Sequence, residues 1–432
     1  MSPDQGILID SDRARSKWLG GVLGWLHRGI LTGMPASGPL NGIRIVDLTT
    51  VIMGPYATQI LADYGAEVIK VEPPEGDIMR GAAPMIGPKM GHLHLQMNRN
   101  KRGVVLDVKK EGGRRALLRL CVKADVFVHN VRPVAMERLR LSSAEVRAVS
   151  PRIVYASLLG FGSGGPYAGK PAYDDLIQGA CGLPALLARS GSPPAYVPAN
   201  MADRVVGVNA VHVILAALLC RERTGEAQDV EVPMFETLAQ FVLDDHMGGR
   251  SFDPPRGPPG YSRLLHRRPF ETKDGYVCAL VYNDKQWESF FRAIGRPGDV
   301  TANPHLATYA ERARNYEEAY GSLAKIFKTR TTREWVDLLE ANDIPCVRLS
   351  ELDDLIDDPH LRAVGFFQEI DHPTEGRLRL TGIPSRWSRS RLSIGRPPPR
   401  LGEHSVEVLR EAGFTPAEID GLIAEGATVD GR

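Results

Sequence analysis

Residues 43–72 read IRIVDLTTVIMGPYATQILADYGAEVIKVE. The run Ile43-Arg44-Ile45-Val46-Asp47-Leu48 is short and β-rich, and the turn after it ends at Gly54-Pro55. YATQILADYGA then spaces its apolar residues as a helix does, and a second β-run follows from Glu67 to Glu72. Strand, turn, helix, strand is a βαβ unit, and its two strands run parallel because a crossover returns the chain to the same end of the sheet. The alternation continues with strands at 103–107, 124–130 and 153–158 and helices at 114–123 and 143–149. This pattern predicts a doubly wound, Rossmann-like α/β large domain over residues 40–235.

On either side the composition changes. Residues 1–39 read as an N-terminal extension with one short amphipathic helix at 18–31. Asp4, Asp10 and Asp12 stand where a secretory leader needs basic residues, so the expected location is the cytoplasm. After the large domain, 236–260 reads as a linker that ends in RSFDPPRGPPG. Residues 269–277 look like a hairpin turning at Asp274-Gly275, and helices are expected at 284–294, 316–329 and 332–342. Together they predict a smaller α+β domain at 261–350. A return linker at 351–400 carries the Pro-rich Gly395-Arg396-Pro397-Pro398-Pro399-Arg400, and C-terminal helices in 401–432 complete the large domain.

Across all 432 residues, Lys plus Arg is 53 against 52 for Asp plus Glu. That balance gives no electrostatic basis for a general nucleic-acid binder. The most apolar run, VVGVNAVHVILAALLC at 205–220, is too short to cross a bilayer and ends on Arg221-Glu222-Arg223, so a buried helix is expected and no membrane association. Five cysteines, Cys121, Cys181, Cys220, Cys278 and Cys346, lie far apart with no CxxC or Cys/His spacing. They predict reduced thiols and no metal site.

The motifs of common cofactors are absent. No GxGxxG follows the first strand and no Walker lysine loop occurs. Gly160-Phe161-Gly162-Ser163-Gly164-Gly165-Pro166 suits close approach of a ligand to the backbone, or a plain turn. Ser163 is no nucleophile elbow, because Phe161 stands where that motif needs glycine. Asp174 and Asp203 each sit at the mouth of a helical pattern. A carboxylate there either caps the helix or serves as a nucleophile beside backbone N–H groups that stabilise developing charge. Basic residues, among them Arg80, Lys109, Arg132 and Arg138, recur near predicted strand ends. Most such residues are solvated surface, but loops at the carboxyl edge of a doubly wound sheet are also where phosphates bind.

Taken in order, LNGIRIVDLTTVIMGPYATQILADYGAEVIKVEPPEGDIMR, NRNKRGVVLDVK, ADVFVHNVRP, YASLLGFGSGGPYAGKPAYDDLIQGACGL and ADRVVG resemble a class III CoA-transferase of the carnitine dehydratase/bile-acid-inducible type. The small domain adds DGYVCALVYNDKQWESFFRAIGRP and NDIPCVRLSELDDLIDDPHLRAVGFF. The resemblance implies that Asp203 is a nucleophile ionised at neutral pH, carrying an aspartyl-CoA thioester intermediate, with Asp174 beside it. It implies CoA contacts at Thr50, Val51, Arg80, Lys109, Asn130 and Arg138. Acyl-CoA and carboxylate are the expected substrates, with no permanently bound cofactor. It also implies an interlocked homodimer. Tyr173-Asp174 stands where the related α-methylacyl-CoA racemases resemble one another in a His-Asp pair, so transfer is expected over α-proton exchange. A racemase-type isomerase and a non-catalytic acyl-CoA-binding protein remain the alternatives. Ile52 replaces a glutamine of the formyl-CoA transferases, which points away from oxalate and formate and towards a larger, dicarboxylic acyl group such as succinyl-CoA, with Arg204 as charge partner.

Overall fold

Six strands form one parallel sheet in the order β3-β2-β1-β4-β5-β6. They are β1 (Arg44–Leu48), β2 (Glu67–Glu72), β3 (Lys101–Val105), β4 (Val126–His129), β5 (Val154–Leu159) and β6 (Asp229–Pro233). The strand order reverses between β1 and β4, which opens a crevice at the carboxyl edge of the sheet there. The computed structural model describes residues 38–189, 191–257, 260 and 268–431. The helix expected at 18–31 lies outside them.

Both sheet faces are covered, because successive strand residues point to opposite sides. Ile45, Val68, Val126, Val128, Val154 and Ala156 join one core with the helices Met53–Asp63, Met201–Thr224 and Met234–His246. Val46, Ile69, Phe127 and Tyr155 join the other with the helix Glu111–Cys121 and the C-terminal helices Ser405–Glu411 and Pro416–Ala424. The C-terminal segment also covers the free edge of β3. Ser405 Oγ accepts the Val105 N–H at 3.1 Å, and Thr428 Oγ1 donates to the Val105 carbonyl at 2.6 Å. An edge strand left bare would be a template for pairing with other chains.

The apolar run at 205–220 becomes the middle of a 24-residue helix, Met201–Thr224. By length and composition that helix is able to cross a membrane. Here Ala202, Val206, Ala210, Ile214 and Ala217 are buried in the first core. It lies close on the Met53–Asp63 helix because Gly207 has no side chain: a Cβ there would meet the Met53 carbonyl oxygen at 2.9 Å. Gly207→Ala is expected to destabilise the protein by roughly 1–3 kcal/mol through overpacking, despite alanine's better helix propensity. The urea midpoint measures this; an unchanged or raised midpoint would show that the two helices separate without cost.

A second unit is built on the antiparallel strands β7 (Phe270–Glu271), β8 (Tyr276–Ala279) and β9 (Cys346–Arg348). The expected hairpin turns at Asp274-Gly275, with the Thr272 N–H bonded to the Gly275 carbonyl at 2.9 Å. Its helices include Asp284–Ala293, Tyr316–Phe327 and Thr332–Glu340, and Trp287, Phe290, Phe327 and Trp335 fill its core. Both indoles find buried partners: Trp287 Nε1 donates to Val281 O at 3.0 Å, Trp335 Nε1 to Phe327 O at 2.6 Å.

The two segments read as linkers hold more structure than expected. The Met234–His246 helix takes up the first part of 236–260 and buries Leu238. Residues 351–400 carry the short helices Leu352–Ile356 and Pro359–Ala363 and a hairpin of β10 (Phe367–His372) with β11 (Gly376–Thr381). That hairpin pairs Glu369 with Arg379 and Asp371 with Arg377 across its strands. Its second strand does alternate, Arg377-Leu378-Arg379-Leu380 with Leu380 buried, a strand signal that the linker expectation passed over.

Candidate active site

Asp203 is the third residue of the Met201–Thr224 helix, and Asp174 is the first of the helix Asp174–Ala180. Both are buried, at 8% exposure. Asp174 Oδ1 accepts the Asp203 backbone N–H at 2.9 Å, and its Oδ2 accepts from Gln178 Nε2 at 2.7 Å. Gln178 Oε1 in turn accepts the Val197 N–H at 3.0 Å. Asp174 therefore does cap a helix, but not its own: it satisfies an orphan N–H in the first turn of the other one. The Asp203 carboxylate is spared that role. The nearby Met53 backbone favours its charged form.

Burial pushes the Asp203 carboxyl up to about 7, and the Asp174 charge adds to the shift. The Arg204 charge and the nearby Met53 backbone oppose it. The expectation of a carboxylate fully ionised at neutral pH is thus corrected: Asp203 is poised near half-ionisation, because its site removes it from water faster than its neighbours compensate. The Arg204 guanidinium stacks over the Tyr56 ring at 4.3 Å, which places a cation on the same stretch of helix as Asp203.

The loop 49–52 leads from β1 into the Met53–Asp63 helix and borders the crevice where the strand order reverses. Asn130, just past β4, borders it from the other side. The two are tied reciprocally: the Thr50 N–H donates to Asn130 Oδ1 at 3.0 Å, and Asn130 Nδ2 donates to Thr50 O at 2.9 Å. Thr50, Val51 and Asn130 are therefore brought together at the switch point, and the helix that carries Asp203 packs on Met53 at Gly207. Lys109 and Arg138 stand exposed beyond β3 and β4. Arg80 turns inward, at 1% exposure. It grips Glu72 with two bonds of 2.7 Å and donates to the Pro399 carbonyl.

The glycine loop after β5 is held by two carboxylates. Glu236 accepts the Gly162 N–H at 2.9 Å, and Glu231 accepts the Ser163 N–H at 2.8 Å. Met53, Gln178, Glu231 and Glu236 escaped the sequence reading. Gln178 alone had a local signal, since it stands one helical turn after Asp174. Among the described residues no group of three His, Cys, Asp or Glu side chains is placed to hold a metal, and none of the five cysteines is in a disulfide.

A doubly wound sheet with buried carboxylates beside its switch point suits chemistry on an acyl group carried by a nucleotide-containing ligand. Residues 40–405 match the family model for CoA-transferase family III, and the chain belongs to that family. It resembles the succinyl-CoA:glutarate CoA-transferase of Homo sapiens, with 29% identity over 393 residues covering 89% of each chain. The formyl-CoA:oxalate CoA-transferase of Rhodopseudomonas palustris is 32% identical over 422 residues, covering 91% of this chain and 98% of the relative. Among solved structures, Rv3272 from Mycobacterium tuberculosis matches with a TM-score of 0.75 at 30% identity, covering 87% of this chain and all of that one. The protein is a CoA-transferase acting on carboxylic acids.

Proposed function

We propose that this chain moves CoA from an acyl-CoA donor to a carboxylic acid through an aspartyl-CoA thioester on Asp203. The observation that carries the reading is the division of labour between the two acids. Asp174 takes up the helix N–H, and the buried Asp203 carboxylate is left without a capping duty. A carboxylate oxygen of Asp203 attacks the thioester carbonyl, and the CoA thiolate leaves. The product is a mixed anhydride. The thiolate then attacks the aspartyl carbonyl, expels the donor's acid as a carboxylate and leaves CoA on Asp203. An acceptor carboxylate reverses the two steps and departs as the new thioester. Holding the thiolate in place lets recapture outrun hydrolysis of the anhydride.

Thr50, Val51, Asn130, Lys109 and Arg138 are the proposed CoA contacts, the first three at the switch point and the two cations towards the phosphates, whereas Arg80, buried and held by Glu72, drops out of the expected set. No permanently bound cofactor takes part. A dicarboxylic acyl group such as succinyl fits Arg204, which offers a cation beside the nucleophile, and succinyl-CoA is the donor named for the human relative. The outward face of the Met201–Thr224 helix leaves Val208 and Leu219 about half exposed. A homodimer partner covering them is part of this reading, as is a cytoplasmic location. Racemase-type exchange finds less support, because Tyr173, where a histidine base would be needed, is 65% exposed.

The test is a mass spectrum of the Asp203 peptide after incubation with succinyl-CoA. A CoA-sized adduct is expected in the native chain and none in Asp203→Ala. An adduct on another residue would overturn the assignment of Asp203, and α-deuterium exchange without any adduct would replace transfer by isomerisation.

A further inference from the structure

Gln178 is fully buried, yet its side chain ends in an amide. A buried amide destabilises a fold unless its polar atoms find partners. Here they do. Nε2 donates to Asp174 Oδ2 at 2.7 Å and to the carbonyls of Val197 and Ala199 at 3.4 and 3.3 Å. Oε1 accepts the Val197 N–H at 3.0 Å. One side chain therefore ties the Asp174–Ala180 helix to the strap 197–200, which runs into the Met201–Thr224 helix.

That strap is two successive three-residue turns. The Ala199 N–H bonds to Val197 O and the Met201 N–H to Ala199 O, both at 2.7 Å. Pro198 is the centre of the first, and its ring sets the φ that such a turn needs. Asn200, at φ −73° and ψ 69°, is the centre of the second. Asn200 also holds the N-cap position of the Asp203 helix, where its side chain would ordinarily accept a first-turn N–H. It makes no such bond. The Asp203 N–H goes instead to Asp174 Oδ1 at 2.9 Å, and the other oxygen of that carboxylate is the one Gln178 holds. The helix entry is thus set from outside, by an acid with both oxygens engaged and an amide that grips acid and strap together.

We infer that Gln178 is a positioning residue for the nucleophile: by holding Asp174 and the 197–200 strap in one grip it sets where the Asp203 helix begins, and with it where the Asp203 carboxylate stands. Asp203 is only the third residue of that helix, so its place follows the entry directly. A misplacement of about 1 Å at an attacking atom costs on the order of 100-fold in rate. The consequence for catalysis rests on Asp203 being the nucleophile; the grip itself does not.

The experiment moves the donor from one side of the Asp174–Gln178 bond to the other. Gln178→Glu sets two carboxylates against each other, and Asp174→Asn sets two amide N–H groups against each other. The double variant again faces one donor with one acceptor. Its amide at 174 keeps an oxygen for the Asp203 N–H, and its carboxylate at 178 keeps one for the Val197 N–H. Native chain and variants are compared at pH 8, above the Asp203 value of about 7. One readout is succinate released from succinyl-CoA in a single turnover, the step in which the thiolate expels the donor's acid, with its half-saturating succinyl-CoA concentration. The other is the hydrogen-exchange rate of the Asp203 amide, which needs no chemistry.

Gln178→Glu is expected to slow succinate release about 100-fold, to move half-saturation less than about threefold and to speed exchange of the Asp203 amide at least about tenfold. Asp174→Asn alone should slow release less than about tenfold. The double variant should release succinate at least about tenfold faster than Gln178→Glu and regain most of the amide's protection. Additive effects, with the double variant slower than either single one, would overturn the inference. So would a Gln178→Glu protein that binds succinyl-CoA less tightly but keeps its saturated rate. If Gln178→Glu folds only together with Asp174→Asn, the grip is supported. If the double variant does not fold either, Gln178 serves the whole fold and the inference falls. Amide exchange that follows the cycle while even the native chain releases no succinate would sink the proposed transfer and leave the positioning of Asp203 standing.

Discussion

Replacing Asp203 with asparagine is expected to lower kcat by on the order of 10,000-fold, the scale seen when a covalent nucleophile is removed. The same change should make the protein more stable in mild alkali. The two effects have one cause. Asp203 is held at about 7 because burial and the Asp174 charge penalise its ionised form. Below about pH 4 the carboxyl is protonated in both the folded and unfolded chain, and it contributes no penalty. Between about pH 4 and pH 7 the unfolded chain releases its proton while the folded one keeps it, so stability falls as pH rises. Above pH 7 the full penalty, at most about 4 kcal/mol, stays in place. Asparagine has nearly the same shape and never carries that charge. Urea unfolding should therefore show Asp203→Asn more stable than the native chain by roughly 2–4 kcal/mol at pH 8 and equal to it near pH 4. Equal midpoints at pH 8 would mean that the site solvates its carboxylate well, and the raised value would be wrong.

Much of this site's scaffold was legible, and its charges were not. The stretch 43–72 announced β1, the crossover helix and β2 because apolar periodicity changes sharply at Gly54-Pro55. The run at 205–220 announced a helix that packs in the core, but not that one face of it, with Val208 and Leu219 about half exposed, would stay outside. Lys70 and Lys101 read differently. Polar residues in a strand normally mark a solvated face, yet both lysines are fully buried. Lys101 Nζ is surrounded by Pro55 O, Thr58 Oγ1, Asn98 Oδ1 and Asp47, all within 3.4 Å. Asn98 lies three residues away, but Asp47 and the helical pair Pro55 and Thr58 stand 43–54 residues off, beyond the reach of any local pattern. Asp174 shows the same limit. Its capping partner lies 29 residues away, so helix-start chemistry was readable but not which helix it would serve. Val51, at φ +70°, was unreadable for a related reason: valine's own preferences argue against positive φ, and its N–H is held by Asp77, 26 residues on.

The pH profile then separates the two roles open to Asp174. If Asp203 must be ionised to attack, kcat/KM should fall tenfold per pH unit below about 7 and lie roughly 30-fold under its plateau at pH 5.5. Asp174 raises that break through its negative charge, so removing the charge must lower it. Asp174→Asn keeps an oxygen for the Asp203 N–H and is expected to move the break down by about one unit. At pH 5.5 the variant should therefore retain a larger share of its own plateau rate than the native enzyme does. Its plateau itself should drop, by less than about tenfold, because the new amide presents a donor to Gln178 Nε2 where a carboxylate oxygen accepted one. A proton-shuttling Asp174 behaves otherwise. As the acid or base of an α-proton exchange it would be required at every pH, and Asp174→Asn would abolish turnover with no shift of the break. A downward shift with turnover preserved assigns Asp174 to tuning and orienting the nucleophile, which is the part a buried acid bonded to the nucleophile's own backbone is placed to play.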